Sequence, residues 1–317
     1  MTEPRIWDAI VIGGGSAGLS AALALGRALR RTLVLDTGQP RNRFAEHMHT
    51  VLGQEGTNPL DLLARGREEA GSYGVQFRIA EVLQVTQPPT PEQPAPHTLE
   101  VSLANGAVLT TRAVIAASGV RDLLPEIPGL HQRWGKTVLH CPYCHGTEYA
   151  GQRIGVLALS PMGLHHAELL RQWTQNLTFF SAGAGELDAA TTRRLESRGI
   201  HIDPRPVTEL RGDPEGPATV VTEDGFTQEL DAIFTLGQVI PNDEYLSHLE
   251  LERADTPAGS FLQVDHGGQT SHPRVWAAGN IASPMANVPM SISAGTFAGA
   301  MANGVLVTED FDLAEQH

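Results

Sequence analysis

The chain opens on a continuous apolar run, Ala9-Ile10-Val11-Ile12, that stops at Gly13-Gly14-Gly15. A short unbroken run bounded by glycines predicts a strand of a parallel sheet. An alanine- and leucine-rich pattern over 19–29 predicts a helix, and Thr32-Leu33-Val34-Leu35-Asp36 a second strand, so about 30 residues make one βαβ unit. Asn58 as N-cap and Pro59 at the first helical position predict a helix to about Tyr73, before Gly74-Val75-Gln76-Phe77 returns to strand.

Residues 81–118 are patterned differently. A strand over 81–86 leads into a polar loop with Pro88, Pro89, Pro91, Pro94 and Pro96, and 97–109 pivots on Asn105-Gly106, which predicts an antiparallel insertion. Ala113-Val114-Ile115-Ala116-Ala117 reads as another core strand. After Gly119 and a hinge at Pro125-Glu126-Ile127-Pro128-Gly129 the order repeats: strand over 154–159, Ser160-Pro161 as N-cap and first position of a helix over 164–175, strand over 177–181. A hairpin turning at Asp224-Gly225 and a strand to Leu236 follow. Arg274-Val275-Trp276-Ala277-Ala278-Gly279-Asn280 and a small-residue helix over 291–303 return the chain to its first domain. The expected fold class is α/β, with two Rossmann-like dinucleotide-binding domains and the second inserted into the first: 1–119, then 120–241, then 242–317.

Composition narrows the function classes. With 41% hydrophobic and 18% charged residues over 317 positions, the chain is globular. Its net charge of −14 repels nucleic acid and anionic membrane faces, so neither is an expected partner. Lys136 is the single lysine, which sets Schiff-base chemistry aside. No stretch reads as a spanning segment and no signal peptide is visible, so a soluble cytoplasmic protein is the expectation.

Gly13-Gly14-Gly15-Ser16-Ala17-Gly18 fits G-x-G-x-x-G between a strand and a helix. Gly13 allows the tight turn, Gly15 the approach of a pyrophosphate, and Gly18 the packing of helix on sheet. Asp36 ends the second strand 18 residues past Gly18, where a carboxylate accepts from a ribose hydroxyl, and this context identifies a dinucleotide site. The only cysteines, Cys141 and Cys144, lie in His140-Cys141-Pro142-Tyr143-Cys144-His145-Gly146. Two thiols at this spacing can form a reversible disulfide, with imidazoles on both sides to stabilise a thiolate or pass a proton. Zinc would require both histidines to ligate beside their cysteine neighbours, a cramped tetrahedron, so no metal is expected.

These segments, with Ala117-Ser118-Gly119, Gly237, Pro241-Asn242 and Ala277-Ala278-Gly279-Asn280, resemble in order and spacing the low-molecular-weight thioredoxin reductases. Cys-Pro-Tyr-Cys-His-Gly and Met162 with His165 and His166 look closest to the branch holding the dithiol oxidases of the holomycin and gliotoxin pathways. The resemblance implies a homodimer with FAD in the discontinuous domain, held by Gly13, Gly15, Ser16, Ala17, Gly18, Asp36, Gly38, Gln39, Ser118, Gly119, Gly279 and Asn280. It implies that Cys144 faces the flavin, that Cys141 exchanges with an external dithiol, and that His145, in a position usually held by aspartate, is the proton donor.

The departures bear on NADP(H). Leu159-Ser160-Pro161-Met162-Gly163 keeps one glycine of the second nucleotide turn, and Pro161 lacks an N–H for phosphate. Phe180-Ser181-Ala182-Gly183-Ala184-Gly185-Glu186 lacks the family's basic cluster, with Arg193 and Arg194 the nearest substitutes. Asn280 stands where the family has an aspartate, and Val288-Pro289 replaces an Arg-Gln pair near the flavin. The expected function is an FAD-dependent thiol-disulfide oxidoreductase without a competent NADPH site. It would act on a thioredoxin-like protein or a small dithiol or disulfide, with oxygen or ferredoxin as the other redox partner. The alternatives are an ordinary NADPH–thioredoxin reductase with a divergent motif and a noncatalytic flavin-containing redox sensor.

Overall fold

The computed structural model describes residues 6–88 and 96–315; Pro89, Pro91 and Pro94 of the expected loop lie outside them. The chain begins with β1 (Ala9–Ile12), α1 (Ser16–Arg27), β2 (Thr32–Asp36), α2 (Pro59–Ser72) and β3 (Gln76–Ile79). An antiparallel meander of β4 (Val82–Thr86), β5 (Leu99–Leu103) and β6 (Val108–Thr111) follows, then β7 (Val114–Ala116). Next come β8 (Val120–Leu123), α3 (Leu130–Arg133), β9 (Val138–Leu139) and α4 (Pro142–His145). The opening order then recurs as β10 (Ile154–Leu157), α5 (Gly163–Leu170), β11 (Leu177–Phe180), α6 (Ala189–Glu196) and β12 (His201–Asp203). A second meander, β13 (Val207–Arg211), β14 (Ala218–Thr222) and β15 (Thr227–Leu230), precedes β16 (Ala232–Thr235) and β17 (Gln238–Pro241). The chain closes with β18 (Arg253–Thr256), β19 (Gly259–Leu262), β20 (Val275–Ala277) and α7 (Val288–Glu315).

Two compact units result. The first takes residues up to Arg43, Pro59–Arg121 and the chain from Val239; the second takes Phe44–Asn58 and Asp122–Gln238. Phe44–Asn58 departs from the sequence division, which left it in the first domain. Its Met48 and Val51 are buried, and its loop closes on itself through Met48 N–H to Thr57 O at 2.9 Å.

The first unit holds a parallel sheet in the order β20-β7-β1-β2-β3. Alternate side chains of its central strands bury on opposite faces, which is why the strands read as unbroken apolar runs. Ile10, Ile12, Leu33 and Leu35 pack on Val85, Leu99, Val101 and Leu103 of the meander. Ala9, Val11 and Val34 pack instead with Ala21, Ala22 and Leu25 of α1 and Ala298, Ala302 and Leu306 of α7. The second unit repeats the plan in the order β12-β11-β10-β16-β9, with α5 and α6 on one face and its meander on the other.

Two helices differ from their sequence expectation. The Ser160-Pro161 cap does not form: Gly163 N donates to Ser160 O at 3.0 Å and Leu164 N to Pro161 O at 3.2 Å, so the chain makes turns first. The helix therefore starts at Gly163 behind Met162, whose side chain makes no cap hydrogen bond, and ends at Leu170 rather than 175. α7 runs well past 303 and is long and apolar enough, by length and composition, to cross a bilayer, where the sequence reading saw no such stretch. Its small residues serve packing: a side chain on Gly295 would meet the carbonyl oxygen of Ala17 at 2.0 Å, so α7 lies directly against α1.

A buried ionic network fixes the far end of α7. Glu309 accepts from Arg112 at 2.7 Å, from Arg274 at 2.6 Å and from His97 N–H at 2.9 Å, while Arg112 also reaches Asp8 and Asp310. Breaking one partner of a buried pair typically costs about 3–5 kcal/mol because the other charge is left buried and uncompensated. Glu309→Ala takes from Arg274 its carboxylate partner and from Arg112 one of three, and is expected to lower the melting temperature by several degrees in differential scanning calorimetry. An unchanged melting temperature would show that the network contributes nothing.

Candidate active site

The glycine turn lies where β1 hands over to α1. Gly13 has φ 106°, and a side chain on Gly18 would stand 1.9 Å from the Gly13 carbonyl oxygen, so helix and strand touch backbone to backbone. Gly15 is the N-cap of α1 with no side-chain cap, and nothing lies within 4 Å of the place a Cβ would take there. Open space in front of uncapped N–H groups, those of Ser16, Ala17 and Gly18 in the first turn, is the cradle a pyrophosphate requires.

The other expected residues gather at this end of the sheet. The Asp36 carboxylate lies over Gly14, where an added Cβ would meet Oδ2 at 2.5 Å, and it is ion-paired with Arg67 of α2, a partner the sequence reading did not find. Gly38 has φ 74° with open space before it, and Gln39 is exposed. Gly13 packs against the Ala117 carbonyl, which brings Ser118 and Gly119 to the turn. The Ser118 hydroxyl donates to Asn242 O at 2.6 Å, and Asn242 N donates to Gly119 O at 3.0 Å, so this pair holds the returning chain. Gly279 (φ 80°) packs on Ala17. Asn280 Nδ2 donates to the carbonyls of Ser283, Pro284 and Ala286 at 3.2, 3.0 and 2.9 Å. Its role is thus partly that of a donor; the aspartate the family has at this position could not make these bonds.

In the second unit Cys141 and Cys144 form a disulfide across the single turn α4, with Cys141 as N-cap and Pro142 next. Backbone N–H groups of Cys144 and His145 both donate to Cys141 O at 3.2 Å, which fixes the turn. Exposed Tyr143 stands edge-on to Trp173 at 5.8 Å. His145 is turned inward, and its Nδ1 is buried without a partner. Burial pushes its pKa down, with Glu148 opposing and His49 reinforcing. His166 of α5 is buried edge-on to His140 at 6.4 Å, and burial, with His140 and His165, takes it down to about 3. Of the two, His145, next to Cys144 in the chain, is the imidazole that can take up a thiol proton.

A family model for pyridine nucleotide-disulphide oxidoreductases matches residues 7–299. The chain belongs to this family. The oxidoreductase is 33% identical over 316 residues, 95% of each chain, to thioredoxin reductase sirT of Leptosphaeria maculans. It is 31% identical over 319 residues, 98% of this chain and 97% of the other, to thioredoxin reductase tcpT of Claviceps purpurea. Among solved structures, that of HlmI superposes with a TM-score of 0.92 at 38% identity, covering 100% of this chain and 97% of the other. The protein is a thioredoxin reductase-like, FAD-dependent disulfide oxidoreductase, and the open cradle before Gly15 fits the cofactor the family implies.

The second nucleotide turn of the oxidoreductase can be set beside the first by strand register, because Ile12 pairs with Leu35 as Leu157 pairs with Phe180. Ala158 then corresponds to Gly13, Gly163 to Gly18 and Gly183 to Gly38. Where Gly38 faces open space, a side chain on Gly183 would meet the Ala158 carbonyl oxygen at 2.1 Å. The loop after β11 therefore lies on the end of β10. The adjoining cleft is lined by Pro161, Leu164, Ala184, Glu186, Leu187 and Asp188. Arg194 is paired with Glu168 at 2.5 Å.

Gly15→Val should leave the melting temperature of the apoprotein nearly unchanged, since an added Cβ has no protein atom within 4 Å, yet weaken FAD binding about tenfold or more, ~1.4 kcal/mol, by filling the cradle. Gly18→Val should fail to fold. Flavin absorbance per protein measures the first; full FAD content in Gly15→Val would refute the assignment.

Proposed function

We propose that this oxidoreductase oxidises an external dithiol by exchange against Cys141–Cys144 and does so without NADPH. What supports the second part is the approach of Gly183 to the Ala158 carbonyl, which occupies in the second unit the space left open in the first. Three further features act in the same direction. Pro161 has no N–H to offer, Glu186 and Asp188 place acidic groups in the cleft where a phosphate needs cations, and Arg194 is already paired.

In the exchange, a substrate thiolate attacks Cys141, the Cys141–Cys144 bond breaks and the electron pair leaves on Cys144. The second substrate thiolate then attacks its neighbouring sulfur and releases Cys141. The substrate leaves as a disulfide, and its two electrons stay on the enzyme pair. His145 accepts the proton of the incoming thiol and returns it to a leaving thiolate. FAD, held at the Gly13–Gly18 turn, would supply the two-electron acceptor, with oxygen as the final oxidant.

Anaerobic titration tests this reading. Dithiothreitol is expected to bleach the flavin readily, and NADPH or NADH slowly or not at all. Fast, saturable reduction by micromolar NADPH would restore the ordinary reductase. A noncatalytic sensor would exchange once and stop, whereas the proposed enzyme turns over in air.

The cysteines should also behave unequally. With Cys144→Ser, the lone Cys141 thiolate should capture a small disulfide as a stable adduct, seen by intact-mass spectrometry, because no neighbour resolves it. Cys141→Ser should capture far less. Equal trapping by both variants would remove Cys141 from the exchange position.

A further inference from the structure

The redox turn α4 carries an aromatic contact that the exchange does not use. A side chain on Gly146 would meet the Trp173 ring at 2.8 Å and the Pro142 carbonyl oxygen at 2.6 Å, so the indole rests directly on the backbone where the turn ends. The same indole meets the Tyr143 ring edge-on at 5.8 Å, with the planes at 86°. Tyr143 and Gly146 are three residues apart, as Cys141 and Cys144 are, so indole and disulfide take different faces of the turn.

Trp173 is itself held in place. It lies three residues past α5, its N–H donates to Leu170 O and its carbonyl accepts from Gly151 N–H, both at 2.9 Å. Thr174 beside it donates its hydroxyl to Gln152 O at 2.6 Å, and Trp173 packs against the core of the second unit. The turn, for its part, has only the bonds to Cys141 O and one from Gly146 N–H to Pro142 O at 2.7 Å. A single helical turn is too short to persist on such bonds alone.

We propose that Trp173 is a positioning residue: seated on Gly146 and Tyr143, it holds α4 closed when the cysteines are reduced and so favours their return to the disulfide. This rests on Cys141–Cys144 being the pair that exchanges, as read above. In the oxidised pair the S–S bond itself closes the turn, and the indole contact is made throughout. In the reduced pair the turn can open, and the contact is then lost part of the time. A contact made more fully in one state stabilises that state by the difference. Held together by the closed turn, the two sulfurs also meet without a fresh loss of chain entropy.

The test is an anaerobic titration of the holoenzyme against reduced and oxidised glutathione. Two glutathione thiols become one glutathione disulfide as the Cys141–Cys144 bond takes up two electrons and two protons, and alkylation followed by intact-mass spectrometry counts the free cysteines. Trp173→Ala should lower the equilibrium constant for forming the protein disulfide about three- to tenfold, the upper figure being ~30 mV. Trp173→Phe, which keeps a ring against Gly146, should stay close to the wild type. Tyr143→Ala, at an exposed position, should shift the constant in the same direction by less. By linkage, reducing the disulfide should lower the melting temperature of the wild type more than that of Trp173→Ala. A tryptophan that only supports the fold would lower the melting temperature equally in both redox states and leave the titration unmoved. That outcome, or a more stable disulfide in Trp173→Ala, overturns the proposal; if Trp173→Ala does not fold, Tyr143→Ala decides by the same criteria. A wild-type pair that neither glutathione nor dithiothreitol reduces overturns the exchange reading itself.

Discussion

The contact between Gly18 and the carbonyl oxygen of Gly13 is the constraint on which the first unit is built. A side chain at Gly18 would stand 1.9 Å from that oxygen, so only glycine lets α1 start directly on the end of β1. With α1 seated there, Ala17 faces the close approach of Gly295 from α7. Gly279 packs on the same Ala17. Residues more than 260 positions apart are thus assembled at the ends of the parallel strands, the crevice where open α/β sheets bind ligands. The Glu309 network then fixes the other end of α7, where the helix would otherwise present buried carboxylate and guanidinium groups unpaired.

The two units show how little a shared scaffold decides. Strand order, meander and register are common to both, and Gly163 keeps the packing place of Gly18. What differs is the path of one loop. After β2 the chain passes Gly38 in open space; after β11 it lays Gly183 on the end of β10. A ligand crevice is a property of such loops, while the sheet beneath them is set by the burial of both its faces.

Much of this was legible in the sequence because the relevant signals are local. β1 and β2 are apolar on both faces, so their runs are unbroken, and the turn glycines stand between strand and helix in fixed spacing. The helix over 164–175 was misplaced because Ser160-Pro161 looks like a cap in isolation, whereas the close packing of Gly163 on Ala158 decides where the helix begins. α7 was read as short because its small residues carry weak periodicity; its extent depends on α1 and on Glu309. Arg67 and His49 had no signal at all. The first finds Asp36 from 31 residues away and the second finds Glu148 from 99, and neither pairing leaves a trace in the chain near it.

The histidines at the disulfide argue about where electrons come to rest. His145 and His166 each keep a buried Nδ1 without a partner, a condition that costs about 1–3 kcal/mol per group and is tolerated where function requires it. Burial holds both toward the neutral form, and His166 at about 3 carries no charge near neutral pH. A thiolate is stabilised by adjacent positive charge, and imidazoles held neutral do not supply that charge. On the proposed reading this is an advantage. A reduced cysteine pair that is not held by a cation is a poor resting place for two electrons, and it gives them up more readily than one locked as a stable thiolate–imidazolium pair.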